Sequence, residues 1–172
     1  QMSIYRPDSA LSEINRTAFS QPVAVERRLF ELLSLAVRLA EQTEGAFDIT
    51  GAPLTRVWIE AQAQGTLPSP AEIEHARSLV GSRLIALDPG PGTVRFLAEG
   101  VSLDLGAIGK GYAVDRMVEL LRDAGVEQAL VHGGFSSVSA IGGGPQGKGW
   151  PVSIRSPAGA ASASAIVAVA HL

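Results

Sequence analysis

The segment VSLDLGAIGKGYAVDRMVELLRDAG, residues 101–125, contains both kinds of element from which the chain is built. Val101–Leu105 reads as a short strand. The glycines at 106, 109 and 111 then form a turn, and a helix begins near Lys110. Its apolar stripe is Met117, Leu120, Leu121 and Ala124, and Gly125 ends it. Upstream, Arg83–Leu87 and Thr93–Leu97 are β-rich runs around Asp-Pro-Gly-Pro-Gly, which predicts a hairpin that Val101–Leu105 extends.

Two helices precede that hairpin. One is announced by Ser20 and Pro22, carries Leu29, Leu32, Leu33, Ala36, Val37 and Ala40 on one face, and closes at Gly45. The other starts at Ser69-Pro70-Ala71-Glu72, a cap, a proline at the first helical position and an acid able to complete a capping box, and stops at Gly81. Downstream, Gln128–His132, Ser136–Ile141, Pro151–Arg155 and Ala165–Ala170 read as strands, and the Ala- and Ser-rich stretch Ala158–Ala165 as a connection. With no regular βαβ period the class is α+β. A length of 172 residues predicts a single domain over 1–172, with neither end closing on a turn, so the chain reads as incomplete at both ends.

Composition narrows the partners. Lys and Arg number 14 against 17 Asp and Glu, a net charge of −3, with no basic run. That argues against a nucleic-acid groove or an anionic membrane surface, and favours small molecules or proteins. No apolar stretch is long enough to span a membrane. The absence of cysteine removes disulfides, thiolate zinc sites and cysteine nucleophiles and leaves the redox compartment open.

The chemistry concentrates in 103–115. Glycines let a backbone approach a ligand closely, and N–H groups at a helix start point at an anion. Lys110 adds positive charge there, while Asp104 and Asp115 can accept from a sugar, a base or metal-bound water. The spacing is not that of a Walker loop, because Gly111 stands where Ser or Thr should follow Lys110. By itself the pattern fits either a phosphate site or a tight turn with a solvated lysine.

LDLGAIGKGYAVD (103–115) resembles the central signature of the ApbE-like FAD:protein FMN transferases. So do SIYRPDSALSEIN (3–15), GAFDITGAPL (45–54), LVHGG (130–134) and GWPVSIRSP (149–157), in matching order over nearly the whole chain. The resemblance implies a T-fold-like α+β fold and Mg²⁺-dependent transfer of FMN from FAD to a Thr or Ser of an acceptor flavoprotein, with release of AMP. Hydrolysis of FAD to FMN and AMP, or FAD binding without catalysis, are the alternatives. It implies that Tyr5 lies against a ring of FAD, that Ala46, Phe47 and Asp48 line the FAD pocket, that Asp104 and Lys110 contact FAD from the other side, and that the Ala107 carbonyl binds the metal. Read without the family, Tyr5 is equally a core aromatic and Asp48 a turn cap. The family's Met-Gly-Thr strand and its downstream His and acidic metal-binding segments have no counterpart here, so the catalytic residue is unassigned. His132 and His171 match no catalytic position, and Ser136 and Ser137 read as strand residues, with phosphate binding as the alternative. Relatives of this kind are usually exported, often as lipoproteins, and the 172 residues carry no signal that bears on it.

Overall fold

A computed structural model describes residues 6–134, 136–154 and 165–168. Tyr5, His171 and the connection 158–164 lie outside the described residues. The chain forms two compact units, residues 1–107 and 108–172.

Among the described residues, the first unit carries four α-helices, α1 (Ala10–Thr17), α2 (Arg27–Gln42), α3 (Ala52–Ala63) and α4 (Pro70–Ser78). Its three strands, β1 (Val23–Ala24), β2 (Ile85–Asp88) and β3 (Thr93–Phe96), form an antiparallel sheet in the order β1-β3-β2. Leu29, Leu32, Leu33, Ala36 and Ala40 of α2 are buried, at the spacing the sequence predicts. Leu11 and Ile14 of α1, together with Val94 and Phe96 of β3, are almost wholly excluded from solvent. Each such side chain contributes about 1.5–3 kcal/mol.

Several boundaries differ from the sequence reading. Helix α2 starts at Arg27, not near Ser20, because Val23 and Ala24 pair with Val94 and Thr93. Ser69 and Glu72 do form a full capping box, but α4 ends at Ser78, three residues before Gly81. Helices α1 and α3 have no counterpart in the sequence reading. Val101–Leu105 joins no sheet ladder, although Val101, Ser102, Leu103 and Leu105 are all buried.

The second unit holds α5 (Gly109–Asp123) and two antiparallel hairpins, β4 (Ala129–His132) with β5 (Val138–Ile141), and β6 (Pro151–Ile154) with β7 (Ala165–Ala168). Its core is Val114 and Val118 of α5 against Val131 and Ile141, with Leu121 and Ala129 packed at the margin. The expected stripe is thus rotated: Met117 and Leu120 are exposed, Leu120 at 61%. Ser136 and Ser137 lie in the turn between β4 and β5, where the Gly133 amide donates to the Ser137 carbonyl. A side chain at Gly133 would meet Val114 Cγ2 at 2.8 Å, so this turn packs directly on α5.

Candidate functional site

Asp104 sits on a buried backbone segment that pairs with no strand among the described residues, so its peptide groups need other partners. Asn15 of α1 supplies two of them to the preceding residue. Its side-chain Nδ2 donates to the Leu103 carbonyl at 3.0 Å, and its Oδ1 accepts from the Leu103 amide at 2.8 Å. The Asp104 amide donates to the Ile49 carbonyl at 2.8 Å. The chain then turns: Asp104 Oδ1 accepts from the Gly106 amide at 2.8 Å. A Cβ at Gly106 would stand 3.1 Å from that oxygen, which is why a glycine suits the turn. Asp104 Oδ2 has no hydrogen-bond partner among the described residues.

Asp104 opens on a cleft of about 540 Å³ lined by Ser12, Asn15 and Arg16 of α1, by Thr55, Arg56 and Ile59 of α3 among others, and by Ser102 and Leu103. The cleft is large enough for a substantial part of a small-molecule ligand.

The 45–54 block begins where α2 ends. The Gly45 amide bonds the Ala40 carbonyl and the Glu44 amide bonds the Glu41 carbonyl, the double closure of a Schellman turn. Its left-handed residue is Glu44, at φ 52°, so Gly45 alone does not terminate the helix. Thr43 carries the chain onward, its carbonyl taking the Ala46 amide and its hydroxyl the Phe47 amide. Ala46 is exposed, while Phe47 and Asp48 are half-buried.

The Asp48 carboxylate is occupied within the fold. Oδ1 accepts from the Thr50 amide at 2.8 Å and the Thr50 hydroxyl at 2.6 Å, and Oδ2 accepts from the Ser82 amide at 2.8 Å. Thr50 Oγ1 in turn accepts from the Gly81 amide at 2.7 Å. Asp48 therefore ties loop 45–51 to loop 79–82, at the edge of a second cavity of about 380 Å³ lined also by Glu41, Glu44 and Arg83. Burial is the largest single influence on its pKa and pushes it up. The hydrogen bonds from Thr50 and Ser82 together outweigh burial and leave the group below the usual carboxylate value. The buried Ser82 hydroxyl makes no hydrogen bond among the described residues, so Ser82 acts on Asp48 through its amide.

Ala46, Phe47, Asp48, Asp104 and Ala107 belong to the first unit and Lys110 to the second. The Ile49–Asp104 bond makes the 45–50 block and Asp104 direct neighbours. Ala107 lies in the exposed turn before α5, and its carbonyl accepts no hydrogen bond among the described residues. That fits one ligand of an oxygen-coordinated cation. No group of three or more His, Asp or Glu poised to hold a metal occurs among the described residues. Helix α5 starts at Gly109 with no side-chain cap and no acid in its first turn, and Lys110 there is exposed and without an ion pair among the described residues. Unclaimed helix N–H groups beside a lysine fit an anionic group such as a phosphate. Asp115 is exposed further along the same helix.

The sequence reading missed Asn15 and Thr50. Asn15 was visible only as the final letter of the 3–15 motif. Thr50 had a usable signal, since an Asp followed two residues later by Thr is a turn in which the carboxylate takes both the amide and the hydroxyl.

A family model described as the ApbE family matches residues 1–172. The chain is 34% identical to a protein of Treponema pallidum named FAD:protein FMN transferase, over 96% of this chain and 49% of that protein. It is 31% identical to the Salmonella typhimurium protein of the same name, over 91% of this chain and 45% of the relative. Among solved structures, the apo flavinyl transferase ApbE of Pseudomonas stutzeri superposes with a TM-score of 0.81 at 28% identity, covering 98% of this chain and 52% of that one. The ApbE protein of Thermotoga maritima gives 0.77 at 27% identity, covering 96% and 52%. The chain spans about half the length of the curated relatives it matches.

Proposed function

The chain belongs to the ApbE family, and from that premise we propose that it forms the FAD-holding part of an FAD:protein FMN transferase that modifies a Thr or Ser of an acceptor flavoprotein. The observation that carries this reading is Asp104: one carboxylate oxygen is fixed by the Gly106 amide, and the other has no partner among the described residues, at the edge of a cleft of about 540 Å³. A carboxylate so held is suited to accept from a hydroxyl or amine of the bound dinucleotide.

Ala46 and Phe47 line the FAD pocket from the loop that Thr43 orders, and Tyr5 offers an aromatic face to a flat ring. Asp48 keeps that loop in place through Thr50 and Ser82. Lys110 and the first N–H groups of α5 take the negative charge of the pyrophosphate. Mg²⁺, with the Ala107 carbonyl as one ligand, would neutralise charge on the pyrophosphate oxygens. In the overall reaction the acceptor hydroxyl oxygen forms a bond to the phosphorus that bears FMN, the pyrophosphate P–O bond breaks, and AMP leaves while the hydroxyl proton is released. The base that receives that proton is not assigned to any residue of this chain.

The test uses the complete gene product with FAD, Mg²⁺ and an acceptor peptide that presents a Thr or Ser. The expected result is a mass gain of one FMN on the peptide with one AMP released. AMP release with no gain, and equally fast without peptide, replaces transfer by FAD hydrolysis. FAD binding with no AMP leaves a flavin-binding module.

A further inference from the structure

We propose that Asn15 is a positioning residue for Asp104, and through it for FAD; the proposal rests on the reading that Asp104 contacts FAD. Leu103 is fully buried, and a buried peptide requires partners for both its N–H and its C=O. In a sheet these come from a neighbouring strand. Here no strand among the described residues pairs with Leu103, and a single side-chain amide bonds both of its backbone groups, with donor and acceptor on the same planar group. Asn is the smallest side chain able to do this.

The consequence falls on the next residue. With Leu103 held on both backbone groups by α1 and the Asp104 amide held by Ile49, three hydrogen bonds hold the two peptide planes on either side of the Leu103 Cα, the second of which leads into Asp104. The Gly106 amide then fixes Oδ1, so the direction of Oδ2 is set by groups outside Asp104 itself. Removing Asn15 leaves the Ile49 bond as the remaining hold, among the described residues, on the plane that leads into Asp104, and releases the plane before Leu103. A shift on the order of 1 Å at a positioned group costs up to about a hundredfold in catalysis. Asn15 lines the same cleft as Asp104, yet its carbonyl oxygen and one amide hydrogen are engaged by Leu103, which makes it a support rather than a ligand-binding group.

The experiment measures FAD dissociation constants by flavin fluorescence for the complete gene product and four variants: Asn15→Ala, Asn15→Asp, Asp104→Ala, and Asn15→Ala combined with Asp104→Ala. Asn15→Ala is expected to weaken FAD by about tenfold, and to add less than about twofold once Asp104 is already Ala, because coupled residues fail to add. Two full, additive losses would mean that Asn15 acts on general stability, and would overturn the proposal. Loss with Asp104→Ala but none with Asn15→Ala would also overturn it, while leaving the Asp104 reading intact. No loss with Asp104→Ala would remove the underlying reading and the proposal with it.

Asn15→Asp adds a readout that plain structural damage does not move. When ionised, its carboxylate faces the Leu103 carbonyl and cannot donate. When neutral, it carries one O–H donor and one C=O acceptor, as Asn does. The affinity of Asn15→Asp relative to wild type at the same pH is expected to recover on acidification. A ratio that stays flat with pH would overturn the proposal.

Discussion

Replacing Asp48 tests the loop clamp most directly. Asp48→Ala removes the acceptor for three hydrogen bonds, from the Thr50 amide, the Thr50 hydroxyl and the Ser82 amide. Thr50 is fully buried and Ser82 nearly so, so these donors cannot turn to water. A buried donor left without a partner costs about 1–3 kcal/mol. Allowing the Thr50 hydroxyl to rotate toward another acceptor, two orphaned amides remain, and the expected loss is about 2–5 kcal/mol. Asp48→Asn keeps one acceptor oxygen but turns an NH₂ toward a donor, for a loss of about 2 kcal/mol. The pH dependence carries the sign. The folded pKa of Asp48 is depressed below the usual carboxylate value. Its contribution is therefore fully present above that value and is lost as pH falls through the folded pKa. Urea unfolding followed by circular dichroism at pH 7 and pH 3 should show the gap between wild type and Asp48→Asn shrinking on acidification. A loss under about 1 kcal/mol for Asp48→Ala at pH 7, or a gap that does not narrow at pH 3, would refute the clamp.

Ser69→Ala removes the hydroxyl that caps α4 and should cost about 1 kcal/mol in the same unfolding assay. Glu44→Gly should stabilise by about 0.5–1 kcal/mol, since a left-handed residue costs about 1–2 kcal/mol and glycine loses part of that gain in chain entropy; a destabilised variant would mean that the Glu44 side chain makes a compensating contact. Gly133→Ala should destabilise by about 1–3 kcal/mol by pressing on Val114, and Val114→Ala, itself costly, should recover part of it in the double variant, measured as a mutant cycle.

Where local chemistry decides an element, the sequence announced it. Ser69-Pro70-Ala71-Glu72 starts α4 because the cap, the proline and the acid act within one turn. Where a partner decides, the sequence misled. Val23 and Ala24 are as apolar as the residues of α2 that follow, and only pairing with β3 makes them a strand. In α5 the exposed Met117 and Leu120 look as core-like as Val114 and Val118, and the β4–β5 hairpin selects the valines. Helix α3 went unread because Trp58 and Ile59 are exposed, which blurs its apolar face. Within the site, resemblance pointed to Asp104 and Asp48 alike. The structure distinguishes them: Asp104 keeps one oxygen without a partner among the described residues, whereas Asp48 is engaged at both.

The Asn15 amide also bears on how long the wall of the cleft stays closed. A strand inside a sheet comes free only when a ladder of bonds opens together, whereas among the described residues the partners of residues 103 and 104 are one helix side chain, one loop carbonyl and the Gly106 amide. Helix α1 has eight residues, too few to hold itself in water without docking. Each time its docked face lifts, Leu103 loses both of its partners at once. Slow hydrogen exchange at the Leu103 amide would therefore report the docking equilibrium of α1 and not the global unfolding of the unit, through a side chain 88 residues away in sequence.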